Sequence, residues 1–104
     1  MSFSDYLEDK VLDHVFGGTA YTAPSTLYVG VFTSASSDSS AGTEVSGNGY
    51  ARQSVAFTVS GTSPTTAASS AAVEFPEATG SWGTVTYAGI FDALTGGNML
   101  ATRN

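Results

Sequence analysis

The clearest strand pattern of the chain lies in residues 27–33, which are mostly apolar and read Leu-Tyr-Val-Gly-Val-Phe-Thr. Successive side chains of an extended strand point to opposite faces, so positions 27, 29 and 31 share one face and positions 28 and 32 share the other. Both faces are apolar, which is typical of a strand that is covered on both sides. We expect this strand to lie inside a sheet or between two layers, with the rest of the chain packed around it.

A helical pattern precedes this strand. Apolar residues recur every four positions over residues 3–16, which predicts one amphipathic helix with the stripe Phe3, Leu7, Val11 and Val15. Ser2 or Ser4 is a suitable N-cap, and Gly17-Gly18 is expected to end the helix with a left-handed residue. A second row, also spaced by four, is acidic: Asp5, Asp9 and Asp13. Such a row is usually solvated, but it also suits a docking contact with a basic partner.

Further strands are predicted after residue 33. Alternating polarity indicates strands over residues 50–59, 71–75 and 84–91, and a short strand over 43–45. In residues 50–59 the odd positions from 53 form a dry face, which places Arg52 on the wet face. Pro76 is expected to end the strand 71–75, and Gly89 would let a neighbouring backbone or ring approach closely. Inward-facing positions of the strand 71–75 are Ala71, Val73 and Phe75.

Turns and loops separate these strands. Residues 34–42 and 60–70 are rich in small polar residues and are predicted loops, and residues 46–49 read as a tight turn. A hairpin turn over residues 92–98 leads to a short returning strand, 99–102, whose outer edge is left unprotected. The pattern predicts a single, mainly β domain over residues 1–104. We expect an antiparallel β-sandwich or a flattened barrel with one N-terminal α-helix over about residues 3–16 and strands from about residue 27 onward.

Charge and composition exclude several classes of function. The net charge is −6, and the only lysine and arginine residues are Lys10, Arg52 and Arg103. Nucleic acids and anionic membranes are bound largely through such residues, so we expect neither as a partner. The chain has no cysteine and therefore no disulfide or thiolate metal site. Without a secretory leader or a long apolar run, we expect a protein made in the cytoplasm that leaves it only within a larger particle.

No residue pattern indicates catalysis. His14 is the only histidine, and we expect it to be a packing or hydrogen-bonded residue rather than a metal ligand or, with Asp13 and a serine, part of a triad. Glu74 and Glu77 are expected to be solvated rather than a paired-carboxylate site. Three loop carboxylates follow no EF-hand pattern that would bind calcium: Asp38, Glu44 and Asp92. The sequence therefore predicts no catalytic residue, no cofactor and no metal site.

Aromatic residues and one arginine are the remaining candidates for contacts. Several aromatics can form either a sugar-stacking platform or packing within and between subunits: Tyr28, Tyr50, Trp82 and Tyr87. Packing is the more common use in small β proteins. Arg52 is expected to pair with Glu44 across the turn 46–49 or to anchor an acidic neighbour.

Several runs occur together in one order. Residues 7–33 contain Asp-His-Val-Phe-Gly-Gly-Thr-Ala-Tyr and then Leu-Tyr-Val-Gly-Val-Phe-Thr. Residues 42–53 read Gly-Thr-Glu-Val-Ser-Gly-Asn-Gly-Tyr-Ala-Arg-Gln. Residues 75–101 contain Phe-Pro, Trp-Gly-Thr-Val-Thr-Tyr, Gly-Ile-Phe-Asp and Gly-Gly-Asn-Met-Leu-Ala. Over nearly its whole length the chain resembles a family of small tailed-phage virion proteins commonly labelled phage tail fibre protein.

The resemblance implies a non-enzymatic structural subunit of the virion. It would be present in several copies in a tail fibre or baseplate, or on the capsid as a decoration (cement) protein. The alternative is a receptor- or glycan-binding module at a fibre tip. The implied partners are other copies of the chain, other virion proteins and, in the alternative, a host-surface glycan. The resemblance also implies further strands after the position of Asn104. We expect subunit contacts at Asp5, Asp9, Asp13, Arg52, Trp82 and Tyr87.

Overall fold

The computed structural model of the chain describes residues 2–62, 64, 66–70 and 72–103. It is mainly β, with two antiparallel sheets and one N-terminal helix, which confirms the predicted fold class; the described strands do not close into a barrel. The strands are β1 (Ser2–Phe3), β2 (Leu27–Phe32), β3 (Gln53–Val55), β4 (Phe57–Ser60), β5 (Thr66–Ser69), β6 (Tyr87–Phe91) and β7 (Met99–Arg103). Helix α1 spans Asp5–Leu12 and continues into a π-helical turn, Asp13–Gly17.

The helix begins later than the predicted residue 3, because Phe3 lies in β1, but the residues that cap it are among those that the sequence predicts. The Ser4 side chain accepts the N–H of Leu7 at 3.2 Å, as an N-cap does. Gly18 adopts a left-handed conformation with φ of 74° and closes the π-helical turn. The predicted apolar stripe is not buried within the chain, because Phe3, Val11 and Val15 are all exposed.

The larger sheet has the strand order β1-β7-β6-β2-β3, and the smaller one is the β4–β5 ribbon. The stretch 27–33 thus lies inside a sheet as expected, because β2 pairs with β6 on one side and β3 on the other. Gly30 of β2 lies opposite Gly89 of β6. A Cβ atom at Gly89 would lie 3.0 Å from the Phe32 ring, and one at Gly30 would lie 3.0 Å from the Phe91 ring. Each glycine therefore admits a phenylalanine ring from the other strand, which confirms the prediction for Gly89.

The prediction that the outer edge of the returning strand is unprotected is wrong. β1 pairs with β7, so that Ser2 and Phe3 lie opposite Thr102 and Ala101. The sequence pattern missed this strand because two residues are too few to show an alternation. The register of β6 and β7 also shifts after Ile90, where β7 contains one extra residue.

Four predicted strands differ from the structure. The strand expected at 50–59 is split at Ala56 into β3 and β4, which belong to different sheets. Residues 72–75 form no strand, Ala71 lies outside the described residues, and β5 lies instead in the predicted loop 60–70. β6 begins at Tyr87 rather than at position 84, and residues 43–45 make one bridge, Glu44 to Phe32. Small residues such as those of β5 carry no clear alternation, so pairing with β4 decides their structure.

Candidate functional site

An ion pair lies over one face of the larger sheet. Arg52 donates from Nε and Nη2 to the two carboxylate oxygens of Glu44, each at 2.8 Å. Its Nη1 donates to the carbonyls of Ala93 at 2.9 Å and Gly96 at 2.8 Å. The predicted pair with Glu44 is confirmed, whereas the predicted position of Arg52 on a wet face is wrong, because only 8% of it is exposed. The turn that follows β6 covers the face that alternation alone would leave in water.

Tyr50 completes this cluster. Its hydroxyl donates to Glu44 Oε2 at 2.6 Å and accepts the N–H of Val31 at 3.1 Å. Burial and the hydrogen bond to Glu44 raise the pKa of Tyr50 to about 12. Burial also acts to raise the pKa of Glu44, but the hydrogen bonds from Arg52 and Tyr50 and the arginine charge outweigh it, so that this pKa lies below its usual value.

The Glu44–Tyr50–Arg52 cluster joins separate parts of the fold. The Arg52 guanidinium carbon lies 3.6 Å from the centroid of the Phe91 ring, a cation–π contact with β6. Among the described residues no buried side-chain polar atom lacks a partner. A polar cluster whose donors and acceptors are all satisfied makes a fold more rigid. The guanidinium is engaged within the chain, and a subunit contact at Arg52 stays a prediction.

An aromatic cluster lies beside the ion pair. Tyr50 stacks on Phe75 at 6.0 Å between ring centroids, and Trp82 meets both rings edge-on at 5.4 and 6.2 Å. All three rings are half-buried. The indole N–H of Trp82 donates to the Asn48 carbonyl at 2.9 Å, and the Asn48 side-chain amide donates to Ser81 at 2.8 Å. The cluster therefore fastens residues 79–82 to the turn 46–49.

Asn48 is a residue that the sequence reasoning did not single out. It has a φ of 53°, a conformation that asparagine tolerates better than most residues, and the glycines on either side also have positive φ. The predicted tight turn at 46–49 is confirmed by the bond from the Tyr50 N–H to the Gly47 carbonyl at 3.0 Å. The run Gly-Asn-Gly signals the turn, but it does not reveal that Asn48 binds a distant segment.

The helix presents an acidic and apolar surface. The acidic row of Asp5, Asp9 and Asp13 is exposed, as a solvated row would be. Near the end of the helix, Leu12 is 57% exposed and Phe16 is 82% exposed. None of the residues of α1 or of the π-helical turn is buried. Contacts of this row with a neighbour, like contacts at Trp82 and the half-buried Tyr87, stay predictions.

The remaining candidates for chemistry lie on the surface of the chain. His14 is exposed, and its Nδ1 accepts the N–H of Tyr21 at 3.2 Å, so the expected hydrogen-bonded role is confirmed. Glu74 and Glu77 are exposed, as predicted for solvated carboxylates. Within the described ranges no three acidic or histidine side chains are grouped to hold a metal ion. In the same ranges no helix has the length and apolarity needed to cross a membrane.

Comparison with known proteins identifies the family. Residues 2–104 match the family described as podophage GP4 fiber I protein gp80. A comparison with curated proteins gives no match. The family match agrees with the resemblance to phage tail fibre proteins and extends over nearly the whole chain. The chain belongs to this family of phage fibre proteins, which makes it a structural component of the virion.

Proposed function

We propose that the chain is a multi-copy, non-enzymatic subunit of the phage fibre that docks onto another virion protein through its N-terminal helix. The observation that carries the proposal is the exposed apolar end of this helix. We call this surface the helix patch; it consists of Val11, Leu12, Val15 and Phe16, all of them exposed. Large apolar side chains grouped on a surface usually mark an interaction site.

The charge around the helix patch indicates the chemistry of the partner. Asp5, Glu8, Asp9 and Asp13 lie on the same helix and are exposed. Amphipathic helices bind by placing their apolar side chains in a groove, and the charges at the rim select the partner. The helix patch therefore suits an apolar groove with a basic rim.

A second copy of the chain does not offer such a rim. Of its three positively charged residues, Arg52 is buried and Lys10 lies on the acidic helix itself, 5.6 Å from the Tyr6 ring. Only Arg103 remains as an exposed cation outside the helix. We therefore assign the helix patch to a different virion protein.

The two other roles considered for the chain have less support. The family match favours the fibre over capsid decoration. A glycan-binding platform needs an open aromatic face, but Trp82 packs against Tyr50 and Phe75 and its N–H is bonded to Asn48. Glycan-array binding that is lost in Trp82→Ala would favour the alternative at the fibre tip.

The experiment is reconstitution of particles produced without this chain. Purified chain is added back, and the copies bound per particle are counted by quantitative mass spectrometry, with antibody labelling to locate them. We expect several copies of the unmodified chain on the fibre and at least about a tenfold loss for Leu12→Ser with Phe16→Ser. Val85→Ser, which alters an exposed valine outside the helix, is the control and should bind as the unmodified chain does. Particles that bind no chain, or that bind the double variant equally well, would contradict the proposal.

A further inference from the structure

The β4–β5 ribbon is the uncharged part of a strongly acidic chain. The net charge is −6, yet none of residues 53–73 is ionisable. Charges of the same sign repel, so two copies can approach each other with least repulsion along this ribbon. Edge strands of natural proteins usually carry charged or proline residues that prevent pairing, and β4 has neither.

The main-chain groups of Phe57 and Val59 point away from β5. Within the ribbon, positions 57 and 59 lie opposite 69 and 67, and the Ser70 N–H donates to the Ala56 carbonyl at 2.8 Å. Bonded and non-bonded pairs alternate in an antiparallel ladder, so 57/69 and 59/67 are non-bonded pairs of this ribbon. This alternation directs the N–H and C=O groups of Phe57 and Val59 away from β5, and in the described part of the chain β5 is the only strand that pairs with β4. They form a free strand edge.

The side chains of β4 also favour a further strand. Phe57 and Val59 lie on one face of the ribbon, and Val59 is 67% exposed. A two-stranded ribbon is marginally stable alone and gains from additional pairing. The other outer edges suit this less well, because β1 has two residues and β3 has three. β5 has only threonine, alanine and serine side chains.

We propose that β4 pairs antiparallel with β4 of a second copy about a two-fold axis at Thr58. In this register Phe57 lies opposite Val59 of the second copy, and Val59 lies opposite the Phe57 of that copy. Each of these two pairs exchanges both of its main-chain hydrogen bonds, so the two ribbons form one four-stranded sheet. Each aromatic ring then meets a valine across the interface, a favourable cross-strand pair.

The occupant is a second copy because this edge is complementary to itself. Phe57 and Val59 each direct one N–H and one C=O group away from β5. When two copies of β4 run antiparallel about a two-fold axis, these groups of one copy face the same groups of the other. No charge opposes the approach at this place. The inference rests on the proposed multi-copy role and specifies the contact between copies, while the helix patch stays available for the other virion protein.

The first test is self-association of the purified full chain, measured by sedimentation velocity over a range of concentrations. We expect a concentration-dependent dimer. Val59→Pro removes an N–H that crosses the interface, and two-fold symmetry doubles the loss, so the Kd of the dimer should rise roughly tenfold or more. Ala67→Pro is the matched control, because it removes an outward N–H on the opposite edge of the same ribbon and should leave the Kd unchanged. A monomer at all concentrations, or an equal effect of both prolines, would overturn the pairing.

The second test uses the position on the axis. Thr58 faces its own counterpart in the proposed register, and its side chain is exposed. Thr58→Asp and Thr58→Lys each place two like charges opposite one another and should prevent the dimer, whereas an equimolar mixture of the two should restore it. This rescue requires folded chains, so it separates a lost interface from a lost fold. A mixture that stays monomeric although circular dichroism shows both variants folded would contradict the register.

The pairing and the fibre role fail in different ways. If the unmodified chain stays monomeric in sedimentation but binds to the particles in several copies, the pairing through β4 is wrong and the fibre role stands. If the dimer responds to the β4 variants as expected but the particles bind no chain, the fibre role is wrong and the pairing stands.

Discussion

Arg52 and Glu44 form a two-point ion pair in which Nε and Nη2 each lie 2.8 Å from a carboxylate oxygen. Such planar, bidentate contacts are stronger than single ones and fix the orientation of both side chains. The arginine also binds two carbonyls of the turn after β6 and covers the Phe91 ring. The pair therefore holds that turn and the segment around Glu44 against the same face of the sheet.

We expect Arg52→Ala to lower the free energy of unfolding by about 3 kcal/mol. Removal of one partner of a buried pair typically costs about 3–5 kcal/mol, and the lower end applies because the Glu44 side chain is 27% exposed and regains some hydration. Urea unfolding followed by circular dichroism measures the change. Arg103→Ala removes an exposed arginine and should change the unfolding free energy by less than about 0.5 kcal/mol. Equal losses in the two variants would show that the ion pair is not the cause.

Acid should weaken the fold through Glu44. The pKa of Glu44 is lower in the folded chain than its usual value of 4.5. Such a carboxyl stabilises the fold above both values, and this contribution is lost as the pH falls from about 4.5 through the folded-state pKa. Urea unfolding at a series of pH values should show the decrease, and Glu44→Gln should lack this component. Glu77→Gln, which removes an exposed carboxyl, should keep the pH dependence of the unmodified chain.

Tyr50 should lose its hydroxyl proton only at high pH, and this ionisation should destabilise the fold. Its pKa of about 12 exceeds the usual value of 10.0, so its contribution to stability is complete below pH 10 and is lost as the pH rises toward 12. The ultraviolet absorbance of tyrosinate follows the titration directly. Tyr50→Phe should remove a step near pH 12, and Tyr28→Phe should leave that step in place. Burial also raises the pKa of Tyr21, so Tyr21→Phe is a second comparison and should likewise keep the step near pH 12. A step near pH 12 that persists in Tyr50→Phe would contradict the assignment.

The parts of the fold that were predicted have strong local signals. Residues 27–32 are apolar on both faces of the strand, apart from Gly30. The helix has a capping serine at its start and a glycine at its end. The parts that were missed depend on distant partners. Arg52 is buried because Glu44 and the turn after β6 cover it, and no alternation within residues 50–59 contains that information. Likewise, the bond from Trp82 to Asn48 joins segments that are far apart in the sequence.

The contact of Gly89 with Phe32 leads to the last prediction. A Cβ atom at Gly89 would lie 3.0 and 3.1 Å from two ring atoms of Phe32, the fully buried phenylalanine, so the ring or the strand must shift. Overpacking of this kind costs about 1–3 kcal/mol, and we expect Gly89→Ala to lower the free energy of unfolding by that amount. Gly17→Ala is the control, because its new methyl group would meet the flexible carboxylate of Asp13 and should leave stability nearly unchanged.

A double-mutant cycle with Phe32→Leu tests whether the ring is the cause. Gly89→Ala should lower the free energy of unfolding less in the Phe32→Leu background than in the unmodified chain, since the smaller side chain leaves room for the methyl group. Urea unfolding of the four proteins gives this coupling, and strictly additive losses would show that the ring does not limit the space at Gly89.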